Sequence, residues 1–467
     1  MHVRLASAEK DRQARAKVVG ISPDIATAVL IFLLVAVAAG VGVYLNRPGS
    51  GVVLWAPAAP LFAVWLPHVG PGSVFAVLIA VAVAAWGPSL AARLPWRRLL
   101  AFGYLASLAW TFSLAMIDGW ARGFAGRLTD PNEYLHEVPG ITDIPAMLRG
   151  FSARILDFRP DSWTTHVAGH PPGATLVFVW LDRLGLRGGA WAATVCVLVG
   201  CLVTVAVPIT LSALHRCDAA RATVPFAVLF PGAVWVGASA DGLFAGVTAS
   251  GIALLAIATH GFRVRRWYAV PCALVAGGII GFGAFLSYGL VVVAGIAFAV
   301  TLVSGTLTRA LPVAVLGALA VAAAFASGGF WWPEGYQLVV ERYYQGIASA
   351  RPYGYWVWAN LAASALAVGP ALAAGARRAG TEIFLAKTWR RENRCEPAIL
   401  LALTALAVIL AADLSGLSKA ETERIWLPFT VWLLPAVSAL PAGSRRGWLV
   451  AQAATALLVN HLVLTYW

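Results

Sequence analysis

Residues 27–44 read TAVLIFLLVAVAAGVGVY, eighteen positions from Thr27 to Tyr44 with no charge and no proline. The run is continuously apolar and does not alternate with period two. That excludes the ten-residue alternating strands of an outer-membrane barrel and predicts a membrane-crossing helix. Runs of the same kind recur along the chain. They predict spans over 23–45, 73–92, 99–117, 189–213, 222–239, 242–259, 268–286, 289–304, 310–328, 355–374, 397–413, 425–441 and 447–465. The fold class read from these is an all-α polytopic membrane protein with about 13 transmembrane helices. Composition agrees: 60% of the 467 residues are hydrophobic and 12% charged, where soluble domains carry roughly 25% charge. A soluble enzyme, a disordered chain and a disulfide-stapled module are thereby excluded.

Two apolar stretches fit a span badly. Residues 52–66 are short and carry Pro57 and Pro60, and residues 172–184 contain Asp182 and Arg183. Both read as interfacial or re-entrant. The distribution of basic residues supports that assignment. With the N-terminus in the cytoplasm, 22 of the 34 Lys and Arg fall on the cytoplasmic side and 14 of the 21 acids on the outer side. Counting 172–184 as a span would instead translocate Arg263, Arg265, Arg266 and the 375–396 basic cluster. The basic start (Arg4, Lys10, Arg12, Arg15, Lys17) precedes a full-length span, so it reads as a cytoplasmic segment, not a cleavable signal. Formal charge is +13, yet no basic cluster is interleaved with aromatics, so no nucleic-acid partner is expected. The five cysteines (Cys196, Cys201, Cys217, Cys272, Cys395) avoid the long polar loops and imply no disulfide framework.

Three polar regions are left outside: 118–188, 329–354 and 414–424. Long loops in a compact chain are usually functional or disordered; the first, dense in Trp, His, Pro and acids with no low-complexity tract, is expected to be ordered. The first opens with Ile117-Asp118-Gly119-Trp120. It continues through Asp130-Pro131-Asn132-Glu133-Tyr134-Leu135-His136-Glu137 and Thr142-Asp143, and closes with Thr165-His166-Val167-Ala168-Gly169-His170-Pro171-Pro172-Gly173. Asp118, at a helix mouth, is placed as a general base that takes a proton from a sugar hydroxyl; the plainer reading is a polar residue ending a span. His-Pro-Pro-Gly predicts a short amphipathic surface helix, since proline suits a first turn. Gly169 and Pro171 argue against a helical His166–His170 zinc pair. In the third loop, Lys419, Glu421, Glu423 and Arg424 crowd the start of a span; the two cations suit a phosphate, or the turn is simply solvated. The second loop brings Trp331, Trp332, Arg342, Tyr343 and Tyr344, which form either an interfacial belt or a surface for sugar rings and a lipid tail. Asp241, in Ser239-Ala240-Asp241-Gly242, is either a helix cap or part of the same cavity.

Taken together these features resemble the GT-C superfamily of membrane glycosyltransferases, which use polyprenyl-phosphate-linked sugars. The resemblance rests on Asp118 opening the large loop, His170-Pro171-Pro172 before a short juxtamembrane helix, the long 189–213 helix returning to a basic turn, and the late loop with Lys419, Glu421, Glu423 and Arg424. Gly119 and Trp120 stand where many members carry a second acid. The resemblance implies a basic N-terminus over 1–22, extra N-terminal helices over 23–98, a catalytic core over 99–430 and C-terminal helices over 431–467. It implies inverting transfer from a polyprenyl-phosphate sugar to an extracytoplasmic acceptor, at a plasma membrane. The Ala-, Arg- and Gly-rich composition resembles an actinobacterial member, implying mannose or arabinofuranose. The roles expected are Asp118 as base with Asp143 nearby, Lys419 and Arg424 at the phosphate, and His166, His170, Asp241, Glu421, Glu423, Arg342 and Tyr343 lining the substrates. A lipid phosphate is an adequate leaving group, so no cofactor is required; a divalent ion on Asp118, Asp130 or Glu133 is the alternative. A transporter or flippase would instead show charges buried mid-span and broken helix pairs. An assembly subunit stays open. A membrane O-acyltransferase would need an intramembrane His, for which His461 is the candidate.

Overall fold

Ser22 caps the first helix, Pro23–Leu45, by accepting the Ile25 N–H, and Pro23 occupies the first turn, where its missing donor costs nothing. This opens a computed structural model that describes residues 22–385 and 396–466. Apart from one two-stranded ladder its regular structure is helical. Eight helices are each long and apolar enough to cross a membrane: Pro23–Leu45, Ser73–Arg93, Trp96–Ala115, Gly189–Ala213, Ala240–Arg263, Ala269–Leu286, Leu307–Ser327 and Pro397–Leu414. The chain is therefore an all-α, multi-pass membrane protein.

The remaining apolar runs are helical in whole or part but broken. Run 222–239 divides into Cys217–Val228 and Ala233–Val236 around Pro231 and Gly232, and 289–304 begins as a 3-10 turn, Tyr288–Val293. Tyr353–Val368 and Pro370–Thr381 bend by 106°, and Leu427–Ala439 and Ala442–Leu462 by 117°; counting each pair as one span gives ten. Backbone freed inside a membrane must find partners. At the first bend Gln452 supplies them, accepting the Ala371 N–H at 3.0 Å and donating to the Val368 carbonyl at 3.0 Å. Gly369 sits there at φ +82°, where a Cβ would collide with the Gln452 amide.

Both poorly fitting stretches are short of a span. Residues 172–184 form the helix Pro172–Arg183, twelve residues or about 18 Å at 1.5 Å per residue. Gly173 in its first turn permits close packing, since a Cβ would clash with the Phe285 carbonyl. Residues 52–66 are largely turns, with Leu54, Ala56, Ala59, Leu61 and Ala63 buried against the protein. Ala63–Trp65 pair antiparallel with the chain end, Ala63 opposite Thr465 and Trp65 opposite Val463. The N-terminal and C-terminal segments are thereby stitched together beside the 118–188 loop. The four described cysteines are free, and Cys395 lies outside the described residues.

Candidate functional site

Arg424 is the centre of the most concentrated group of charges. It lies in the short helix Thr422–Ile425 and is 4% exposed. Its Nη1 meets Asp241 Oδ2 at 3.0 Å and its Nη2 meets Glu421 Oε2 at 3.0 Å. Burial opposes its charge, but Asp241, Glu421 and Glu133 outweigh that and hold its pKa above the ordinary value. Asp241 does not cap its helix; Ser239 does, accepting the Gly242 N–H at 3.1 Å, which leaves the carboxylate for Arg424.

The loop carrying Arg424 is fixed from several sides. Ala420 and Glu421 take left-handed φ values of 72° and 65°, uncommon for side-chain-bearing residues. Such backbone persists where surroundings over-determine it. Asn360 donates to Asp413 Oδ1 at 2.9 Å and the Ser418 carbonyl at 2.7 Å, and accepts the Ala420 N–H at 3.1 Å. Arg351, buried, donates to the carbonyls of Leu54, Trp55 and Lys419 and to Glu421. Lys419 turns from Arg424: its Nζ donates to the Ala348 carbonyl at 3.0 Å, and its N–H donates to the Tyr343 hydroxyl at 3.0 Å. Burial pushes Tyr343 up to about 12. Arg342 pairs with Asp157 at 2.6 Å and ties the second loop to the first. Glu423 accepts the Phe62 N–H at 2.8 Å and is pushed by burial up to about 7.

The first loop reaches this group through Glu133, His166 and His170. Glu133 is 3% exposed, and its Oε2 has no hydrogen-bond partner among the described residues. Its Oε1 lies 3.8 Å from His166 Nε2. Burial raises its pKa to about 8, against the pull of Arg424 and with a push from Asp241. A carboxyl poised near working pH can accept and return a proton. Burial holds both histidines below their ordinary pKa, so they are neutral hydrogen-bonding groups. His170 Nδ1 lies 2.8 Å from the His166 carbonyl, which can only accept; that assigns the proton to Nδ1 and leaves Nε2 as an acceptor. Tyr134 walls the group, its ring 5.0 Å from Phe178, 5.7 Å from His170 and 6.1 Å from His166. Beyond Phe178 a groove of about 460 Å³ runs along Leu135, His136, Val138, Leu181 and Arg187.

The other two acids lie apart. Asp118 is held by His68 Nε2 at 2.6 Å and Arg127 Nη2 at 2.8 Å, and Arg127 also donates to the Thr465 carbonyl at 2.7 Å. Asp143 is exposed and caps the helix Ile144–Gly150 through the Ala146 N–H at 3.0 Å. His461 contacts Ser73 at 2.9 Å. Among the described residues no group of three or more His, Cys, Asp or Glu is arranged to hold a metal ion. The structure thus brings together Arg424, Asp241, Glu421, Glu133, His166 and His170. Sequence reading missed Arg351, Asn360 and Tyr134. Arg351 and Asn360 carry no local pattern, and the signal for Tyr134 was only its place beside Glu133.

No protein-family profile matches the chain, and no curated protein sequence does. Among solved structures it is similar to the Archaeoglobus fulgidus oligosaccharyltransferase tethered with an acceptor peptide containing the NVT sequon via a disulfide bond. The TM-score is 0.41 and the identity 14%, over 73% of this chain and 48% of that one. This chain spans about half the length of that structure.

Proposed function

We propose that the chain is a membrane glycosyltransferase of the GT-C type. It moves a sugar, mannose or arabinofuranose, from a polyprenyl-phosphate donor to an extracytoplasmic glycan, lipid or protein acceptor. The observation that carries this reading is a buried, ionised guanidinium, Arg424, within electrostatic reach of a buried carboxyl, Glu133, whose Oε2 lacks a hydrogen-bond partner among the described residues. Transfer needs both. The acceptor oxygen attacks the anomeric carbon, the carbon–oxygen bond to the phosphate breaks, and the phosphate leaves with the electron pair. Glu133 takes the hydroxyl proton, and Arg424, oriented by Asp241, meets the charge growing on the phosphate. A single displacement inverts the anomeric centre. His166 and His170, as neutral groups, hold hydroxyls of donor or acceptor. Asp118 is assigned the part of a brace, because both its oxygens are already engaged, one by His68 Nε2 and the other by Arg127 Nη2. The groove beside Phe178, apolar with His136 and Arg187 on it, suits the chain of a lipid substrate.

A transporter or flippase is the second reading, favoured by the two bent helix pairs. Against it, the break at Gly369 is closed by neutral Gln452, and the buried charges of Glu133, Asp241, Glu423 and Arg424 gather beside loops 118–188 and 414–424. The test is a transfer assay in vesicles with polyprenyl-phosphate mannose and polyprenyl-phosphate arabinofuranose, scoring released polyprenyl phosphate. Arg424→Ala leaves Asp241 and Glu421 facing each other without their cation; truncating one partner of a desolvated pair costs about 2–5 kcal/mol. Release is expected to fall by at least about tenfold. Movement of intact donor across the bilayer, with no release by wild type, would favour the transporter. The outer placement of the site rests on the charge asymmetry of the loops. An impermeant thiol reagent on intact cells should label Asn132→Cys and spare Arg265→Cys; the reverse pattern would place the site inside.

A further inference from the structure

Two carboxylates hold Arg424, and they differ in kind. Asp241 sits in the first turn of a long helix with a side chain 6% exposed. Glu421 sits on the strained loop, and its side chain is 20% exposed against 5% for Arg424. Glu421 is also shared: its other oxygen reaches Arg351 Nη1 at 3.2 Å. Arg351 is anchored without it, through the carbonyls of Leu54, Trp55 and Lys419. Glu421 therefore has a second, fixed cation onto which it can retreat.

We propose that Glu421 is a placeholder anion that makes the site selective for a phosphorylated ligand. Its carboxylate occupies the face of Arg424 that a phosphate takes, and it moves wholly onto Arg351 when that phosphate arrives. The inference rests on the phosphate reading of Arg424 given above. Carboxylate and phosphate oxygens meet a guanidinium with the same paired geometry, so one can stand in for the other. A buried guanidinium stripped of its anions is costly, so the empty site needs a substitute. The consequence is discrimination. A polyprenol or a free sugar displaces an ion pair and returns none, whereas a phosphate monoester or diester restores it. Apparent affinity is lowered by the fraction of molecules in which Glu421 covers Arg424.

The experiment measures binding of farnesyl phosphate, with farnesol as the neutral control, to the purified full chain in detergent. Glu421→Ala and Glu421→Gln should each bind farnesyl phosphate about fivefold or more tighter than wild type, with farnesol binding unchanged. Arg424→Ala should lose farnesyl phosphate binding. Arg351→Lys, which removes the fork that receives the retreating carboxylate, should weaken binding in the wild-type background and not in the Glu421→Ala background. That non-additivity separates displacement from a mere gain of positive potential. Unchanged or weaker binding in both Glu421 variants, with Arg424→Ala still inactive, overturns the placeholder and leaves the phosphate reading standing. Failure of wild type and both Glu421 variants to bind overturns the phosphate reading and the placeholder together. If Arg351→Lys does not fold, the two Glu421 variants decide.

Discussion

Asp118 and Glu133 lie fifteen positions apart in one loop, and both are buried beside a histidine. Their surroundings differ. Asp118 has one oxygen 2.6 Å from His68 and the other 2.8 Å from Arg127. Glu133 has one oxygen 3.8 Å from His166 and the other without a partner among the described residues. A carboxylate with both oxygens already engaged by side chains of the fold has none left to face a substrate hydroxyl. One short of partners in an apolar setting holds its proton to higher pH and becomes a usable base. The first arrangement joins the loop to the chain end through Arg127 and Thr465; the second lies within electrostatic reach of Arg424. Position in the sequence favours Asp118, at a helix mouth, over Glu133, within the loop; the partners in the fold favour Glu133.

The largest effect on transfer should come from Glu133→Gln, which keeps shape and removes proton-accepting power. Transfer should fall by about 10²-fold or more, with donor binding retained. The same variant tests the pH sign. With Glu133 at about 8, wild-type transfer should rise with pH towards a plateau above about 8, and the residual activity of the variant should lack that rise. Stability runs the other way. The folded pKa lies above the ordinary 4.5, so the folded chain holds the extra proton between the two values. Wild type should therefore lose stability relative to the variant as pH climbs from about 4.5 to about 8. A Glu133→Gln protein with near-normal transfer would erase the comparison and return the base to Asp118.

Asp118→Asn should do little to transfer and more to stability. The amide keeps one acceptor but no charge, and it sets an N–H₂ against His68 or Arg127. An imperfectly satisfied buried group of this kind costs about 1–3 kcal/mol. Melting in detergent should drop, while transfer per folded molecule stays within about threefold. A loss of about 10²-fold without a melting shift would show Asp118 to be the base after all.

The helical membrane architecture was legible because apolar runs are a local signal. Broken spans were less so: Pro231 and Gly232 sit inside an apolar window whose average hides them. The run 425–441 likewise reads as one helix by composition, yet it is a short helix, Leu427–Thr430, continued as a 3-10 helix, Val431–Ala439. At the site, Arg424, Asp241, His166 and His170 were legible as types of residue in suggestive places. Their convergence was not, because it depends on the first loop folding back onto the third across some 290 positions of sequence, from Glu133 to Arg424. The division of labour among the acids was hidden for the same reason. His68 and Arg127, which pair Asp118, lie respectively in the short link between the 52–66 stretch and the span at 73, and among the seven basic residues of the first loop.

Asp143 sharpens the comparison from its weak end. It belongs to the same loop, yet it is exposed, and its carboxylate is engaged locally, accepting the Ala146 N–H at the start of Ile144–Gly150. Pro145 follows in that first turn, where its lack of a donor is harmless and its fixed φ favours the helix. The cap therefore adds to a start already biased by sequence. Asp143→Ala should cost about 1 kcal/mol, the usual value of a lost cap, and Asp143→Asn, which can still accept the N–H, should recover most of it. Neither should change transfer, because water screens the charge and the Arg424 group holds its geometry without it. Equal losses of transfer in both variants, with melting unchanged, would mean that the carboxylate acts on a substrate. Glu133 would then share proton abstraction with a residue that the fold leaves in solvent.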